Sequence, residues 1–398
     1  MPAVEIKPDV YWIGVNDRTT DLFEGLWPVA EEGVSYNTYL INDEKRVIVD
    51  LVKAIKTDEF FDQIDEVMDV ADIDYVVINH MEPDHTGVLR TLNRIIPNVT
   101  ILGTAKMKEM LEAYYGITEN VRVVEDGETL SLGKRSLKFV HTPFIHWPET
   151  MVTYETREKI LFSCDAFGSY GALRGALFDD ECQDPHFYEK EALRYYVNIV
   201  ANFSRPVLNA IDKLSGVDIN IIAPSHGLIW RKNLGHIIAL YKKWAEYASG
   251  ETEPGITLIY GSMYGNTEAM MNAVAQGISS AGVPVEIFDV SRIHVSYILP
   301  SLWTKMGVIV GAPTYEGKLF PAMTQVLEMA ALKHIRHKKA AYFGSFGWSG
   351  GALNQLEKII EPIKWELIHT LEFKGGITQD RLKEGEEFGR KFAGIISG

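Results

Sequence analysis

Tyr75-Val76-Val77-Ile78-Asn79-His80-Met81-Glu82-Pro83-Asp84-His85 is the stretch on which the reading of this chain turns. Its first five residues are the β-branched and aromatic run of a buried strand. The next six hold four side chains able to bind a metal, His80, Glu82, Asp84 and His85. A turn at a strand's end can aim such side chains at one point, so a metal loop is expected here. Polar turns often contain His and Asp merely because water solvates them, but four ligand types in six residues after an apolar run outweigh that reading.

Three more candidates stand at strand ends or turns: His146 in His141-Thr142-Pro143-Phe144-Ile145-His146-Trp147, Asp165 in Phe162-Ser163-Cys164-Asp165, and His226 in Pro224-Ser225-His226-Gly227. Each alone reads equally well as a cap or a core residue, and His141 competes with His146 on its strand. With the first loop they make seven nitrogen and oxygen donors. That is too many for one tetrahedral ion and suits two ions with a carboxylate between them. The chain has two cysteines, Cys164 and Cys182, too few for a disulfide framework, a thiolate-held cluster or a Cys-rich zinc site. Any metal is therefore held by His and carboxylates, and Cys164 reads as a packed core thiol.

A length of 398 residues predicts two domains, and 46% apolar with 23% charged residues is a globular composition. The stretch 249–255, Ser-Gly-Glu-Thr-Glu-Pro-Gly, has linker composition, which sets the expected domains at 1–250 and 256–398. Before it, short β-rich runs at 46–52, 75–79, 100–103, 137–141 and 159–162 mix with a few helices, as in a sandwich flanked by helices. After it, strands at 256–260, 285–289, 307–311 and 340–344 alternate with helix-length segments, which predicts a parallel doubly wound sheet. The net charge of −15 argues against a nucleic-acid partner. Residues 256–398 are near neutral and 1–255 strongly acidic. No apolar run is long enough to span a bilayer, and the first residues have neither the basic nor the apolar part of a signal peptide, so the expected location is the cytoplasm.

In the second domain, strand 256–260 runs into Gly261-Ser262-Met263-Tyr264-Gly265-Asn266-Thr267 and then a helix over 268–278. A hydroxyl- and glycine-rich loop at a helix N-terminus offers N–H groups and the positive dipole end to one phosphate. It has neither the Lys-Ser/Thr of a nucleoside-triphosphate loop nor G-x-G-x-x-G, so a monophosphate fits best, with an N-capped loop as the plain alternative. The later strands end in Pro313-Thr314-Tyr315-Glu316-Gly317 and Ser345-Phe346-Gly347-Trp348. Such loops converge at the carboxyl edge of a doubly wound sheet.

The first domain resembles the metallo-β-lactamase fold, whose loop usually reads H-x-H-x-D-H. Here Glu82 takes the place of the second His, which moves the donor set away from zinc and toward iron. With His146-Trp147-Pro148 and Pro224-Ser225-His226-Gly227, the chain resembles the flavodiiron family over essentially its whole length. The resemblance implies an αββα sandwich plus a flavodoxin-like domain, two irons and one FMN per chain, and reduction of dioxygen to water or nitric oxide to nitrous oxide. His80, Glu82 and His146 would serve one iron, Asp84, His85 and His226 the other, with Asp165 bridging. It also prefers His146 over His141 and places Tyr195 near the open coordination positions, where a packed helix aromatic is the plain reading.

By the same likeness, Ser262, Met263, Tyr264, Gly265, Asn266 and Thr267 would hold the FMN phosphate. Pro313–Gly317 and Ser345–Trp348 would enclose its ring, with Tyr315 and Trp348 in contact. Phe23-Glu24-Gly25 departs from the Phe-His-Gly of several relatives. No rubredoxin-like Cys-x-x-Cys segment follows the flavodoxin part. The resemblance therefore implies a separate donor, a rubredoxin-like protein or a deazaflavin coenzyme, and a head-to-tail homodimer or dimer of dimers. The rivals are a binuclear metallo-hydrolase with an appended flavodoxin module, and an electron carrier with a structural metal site.

Overall fold

The computed structural model describes residues 1–398 and divides them into two compact units, Met1–Ala245 and Glu246–Gly398. In the first unit two sheets face each other. One has seven strands in the order Val4–Lys7, Val10–Trp12, Tyr39–Ile41, Val47–Val49, Tyr75–Val77, Thr100–Gly103, Val121–Val123. The other has five: Thr129–Ser131, Ser136–His141, Met151–Glu155, Ile160–Cys164, Ile221–Pro224. Val47, Val49, Val77 and Leu102 of the first sheet meet Leu137, Phe139, Ile160 and Phe162 of the second in one buried core. Alternate residues of the second sheet, Val152 and Leu161, are buried on its other face, so the strands read as continuous apolar runs because both faces are covered.

The strand Tyr75–Val77 is two residues shorter than the sequence suggests. Ile78 still donates to the Leu102 carbonyl, but Asn79 turns away, held by Asp50, whose carboxylate accepts from its backbone N–H and its side-chain amide at 2.8 and 2.9 Å. The chain then enters a single helical turn, Pro83–Thr86, with Pro at its start.

The second unit carries a fully parallel sheet in the order Val285–Asp289, Glu253–Tyr260, Lys305–Gly311, Lys339–Phe346, Glu366–Lys374. Its order reverses at the first strand in sequence, the switch point where ligands bind. That strand starts at Glu253, inside the stretch expected as linker, because Glu253 pairs with Lys305 and its carboxylate meets the Lys305 ammonium at 3.0 Å. On one face the helices Asn266–Ser280 and Gln379–Ser397 pack unusually close. A Cβ on Gly277 would lie 2.0 Å from the Glu386 carbonyl oxygen, and one on Gly389 would lie 2.1 Å from that of Val274. Only glycine permits that approach.

Candidate metal centre and flavin cradle

Four segments of the first unit end at one place: the turn after Tyr75–Val77, the loop before Met151–Glu155, the end of Ile160–Cys164, and the turn after Ile221–Pro224. They bring His80, Glu82, His146 and Asp165 into one group of potential ligands, and Asp84, His85 and His226 into a second. All seven are buried. Asp165 stands between the groups. Its Oδ2 lies 3.3 and 3.5 Å from the Nε2 of His146 and His80, and its Oδ1 lies 2.9 and 3.4 Å from those of His85 and His226. Glu82 Oε2 is 3.0 Å from His146 Nε2 and 3.3 Å from His80 Nε2. Asp84 is 3.4 Å from His85 and 3.3 Å from His226.

These spacings suit metal ions. Donors about 2.1 Å from a shared ion at ordinary coordination angles lie about 3.0–3.4 Å apart. Both Asp84 oxygens, Asp165 Oδ2 and His226 Nε2 are buried with no hydrogen-bond partner. Orphaned donor atoms of that kind are costly in an apolar interior and are what a bound cation satisfies. His141, the alternative on its strand, is turned aside: its Nε2 lies 3.1 Å from the Val124 carbonyl oxygen. Cys164 adjoins His85 and Asp165, but burial pushes its thiol well above the usual range.

The imidazoles are aimed by groups behind them. Glu149 Oε1 sits 2.7 Å from His80 Nδ1 and accepts the Met81 N–H at 2.9 Å. The Ser35 carbonyl lies 2.8 Å from His226 Nδ1. Each contact places the ring proton on Nδ1 and leaves Nε2 facing the cluster. Without metal, the carboxylates hold protons on the rings. Against the penalty of burial, hydrogen bonds to Asp165 and Glu82 push His146 up to about 9, and hydrogen bonds to Asp165 and Asp84 push His226 up to about 10.

An aromatic wall closes the second group. Phe23, Tyr36 and Tyr195 stand edge-on or tilted to the His226 ring at 5.6, 5.8 and 5.5 Å. Tyr195 is buried, and desolvation holds its hydroxyl far above the usual range, so it stays protonated. Phe23 is fixed by a tight turn in which Glu24 and Gly25 adopt left-handed φ of 51° and 68°. Glu24 Oε2 accepts the Trp27 indole N–H at 3.0 Å. Partial burial and the neighbouring Glu82 charge push the Glu24 carboxyl up to about 7. Where the resemblance led to the expectation of a histidine, this chain carries an acid.

Sequence reasoning missed Glu149. The signal was present in His146-Trp147-Pro148-Glu149, but nothing in the spacing says that Glu149 reaches a ring 69 residues earlier.

In the second unit a cleft of about 650 Å³ opens at the carboxyl edge of the sheet. It is lined by Ser262, Met263, Tyr264, Asn266 and Thr267, by Pro313–Gly317, and by Ser345–Trp348. Gly265 is absent from the lining: at φ 87° it caps the helix Asn266–Ser280. Ser262 Oγ accepts from Gly265 N at 3.1 Å, which folds the loop over the helix N-terminus. Tyr264 and Trp348 are 91% and 88% exposed, and large aromatics that bare beside a cleft are a stacking platform. Gly375 and Gly376 also line it. They follow the strand Glu366–Lys374, which the sequence reading did not identify.

Comparison with known proteins agrees with this division. The ODP family of β-lactamases matches residues 34–227 and the flavodoxin family residues 258–389. Anaerobic nitric oxide reductase flavorubredoxin of Escherichia coli K12 is 38% identical, covering 98% of this chain and 82% of the relative. Among solved structures, rubredoxin oxygen:oxidoreductase of Desulfovibrio gigas superposes with a TM-score of 0.93 at 30% identity over 99% of this chain and 98% of the other. The flavodiiron protein of Giardia intestinalis does so with 0.93 at 30% over 100% and 97%.

Proposed function

This chain belongs to the flavodiiron protein family, and from that premise we propose that it is a terminal reductase that turns dioxygen into water or nitric oxide into nitrous oxide. It is an oxidoreductase with an FMN and a di-iron centre. When bound, the flavin stores electrons singly or in pairs and the irons pass them to a diatomic gas.

What carries the reading is Asp165, whose two oxygens face two separate ligand groups in a chain that also bears a flavin cradle. We assign His80, Glu82 and His146 to one iron, Asp84, His85 and His226 to the other, and Asp165 to the bridge. Glu82, a hard anionic donor, makes the first group less like a zinc hydrolase site. The chain's own contribution is orientation and exclusion of water. Glu149 and Ser35 fix two imidazole tautomers. Phe23, Tyr170 and Tyr195 seal the pocket, and Tyr195 is left able to donate a hydrogen bond without ionising.

Ser262–Thr267 would hold the FMN phosphate at the helix N-terminus, and Tyr315 and Trp348 would lie against its ring. The electrons come from a separate donor, a rubredoxin-like protein or a deazaflavin coenzyme; the names of two relatives favour the first. The working form is a head-to-tail homodimer or dimer of dimers in the cytoplasm; no helix is long and apolar enough to cross a membrane. The proposed domain limits are 1–250 and 256–398, with the first strand of the second domain already begun at Glu253.

Purified protein should hold about two irons and one FMN per chain. Zinc alone after growth in ample iron, with ester hydrolysis indifferent to reductant, would favour the hydrolase instead. Anaerobic rapid mixing with each gas decides which is preferred.

A further inference from the structure

Behind the second sheet of the first unit lies a small cavity of about 20 Å³ whose lining is almost wholly apolar. Its inner end is formed by Ile145 and by Ala166 and Phe167, which adjoin His146 and Asp165 in sequence. Its floor is Val152 and Leu161, the outward residues of two neighbouring strands. Its outer end is Ala210, Ile211 and Leu214 of the amphipathic helix Ser204–Leu214, all only half-buried. The cavity thus lies between a half-buried helix and the two segments that carry His146 and Asp165.

The chemistry of the lining selects what can enter. The volume suffices for roughly one water-sized molecule, but a buried water needs two to four polar partners. Apart from the Thr142 hydroxyl, which alone falls short of that number, the polar groups present are already engaged. Tyr241 donates its hydroxyl to the Gly168 carbonyl at 2.9 Å. The Thr142 N–H donates to the Thr150 carbonyl, and its own carbonyl accepts from Thr150 Oγ1. A dry pocket of this size favours a small apolar solute, and dioxygen and nitric oxide are such solutes.

We propose that this cavity is a binding and entry site for apolar diatomic gas, by which substrate reaches the metal cluster from the side of the helix Ser204–Leu214. The inference rests on the gas-reductase reading, and its test is built to separate the two. Crystals of the full-length iron- and FMN-loaded protein under xenon pressure should show xenon among Ile145, Phe167 and Ile211. Ala210→Phe, which fills the outer end, should abolish that xenon. In the iron- and FMN-loaded enzyme it should lower kcat/KM for the gas several-fold while leaving kcat at saturating gas, iron content and flavin content unchanged. Ile211→Ala, which enlarges the cavity, should raise xenon occupancy without slowing gas uptake. Ala210→Val serves in place of the phenylalanine variant if that one misfolds. No xenon in the cavity, or a filled cavity with an unchanged kcat/KM, would overturn the proposal. An unmodified loaded enzyme that turns over neither gas would overturn it together with the reductase reading, and would be recognised by xenon still bound.

Discussion

Removing Glu149 should selectively loosen one metal site. Glu149 is buried, 1% exposed, and its Oε1 takes two hydrogen bonds, from His80 Nδ1 at 2.7 Å and from the Met81 N–H at 2.9 Å. It therefore fixes both the tautomer of His80 and the backbone between two ligands. Despite burial, the hydrogen bond to His80 keeps its carboxyl below the usual range, so it acts as an anion behind the imidazole and makes the ring a stronger donor. Loss of such a partner typically costs roughly 10–100-fold in metal affinity, or about 1.4–2.8 kcal/mol. Glu149→Gln retains an acceptor oxygen and belongs at the low end, and Glu149→Ala at the high end. Dialysis of the loaded protein against graded chelator, with metal content measured per chain, reads the effect. One metal should leave at about 10-fold lower chelator in the glutamine variant and the other should be retained, because Asp84, His85 and His226 do not touch Glu149. A folded Glu149→Ala chain that holds both metals as tightly as the parent would refute the reasoning.

The metal-free protein should lose stability in alkali. His146 and His226 are held at about 9 and about 10 against an unfolded value of 6.5, so their contribution is complete below pH 6.5 and vanishes as pH rises through 9 to 10. The melting temperature of the metal-free chain should fall over that window while that of the loaded chain, whose protons the metals have displaced, should not; a flat metal-free profile would count against the cluster electrostatics. Trp348→Ala should weaken FMN binding by about 1 kcal/mol, roughly fivefold in Kd, with iron content intact, and loss of iron in that variant would contradict the independence of the two sites. Mixing Asp165→Asn chains, which keep FMN, with Thr267 variants that cannot bind it should restore turnover in demonstrated mixed dimers if electrons cross between subunits. No recovery would place transfer within one chain.

Much of this was legible in the sequence, and the reasons are physical. The loop 80–85 could be read because a strand followed at once by clustered ligands leaves little else for them to do, and the structure brings those four together with His146, Asp165 and His226. The parallel sheet could be read because its first, third and fourth strands are buried on both faces and so appear as unbroken apolar runs. The fifth strand, Glu366–Lys374, lies at the sheet edge with polar residues at most positions, and it was passed over together with the Gly375-Gly376 loop it delivers to the cleft. Glu149 escaped notice because its role depends on a register between distant segments. Glu24 was noticed only as a departure. Its place beside Glu82 comes from a turn with two left-handed residues, a geometry that spacing does not reveal.

The central claim is that electrons stored on the flavin reach a diatomic gas through the cluster around Asp165. The direct measurement is to reduce the chain anaerobically, mix it rapidly with dioxygen or nitric oxide, and follow flavin absorbance in the unmodified protein, its metal-free form and Asp165→Asn. The account predicts fast reoxidation in the unmodified protein with at least one gas, and equally slow reoxidation in the other two. Identical rates in all three would contradict it.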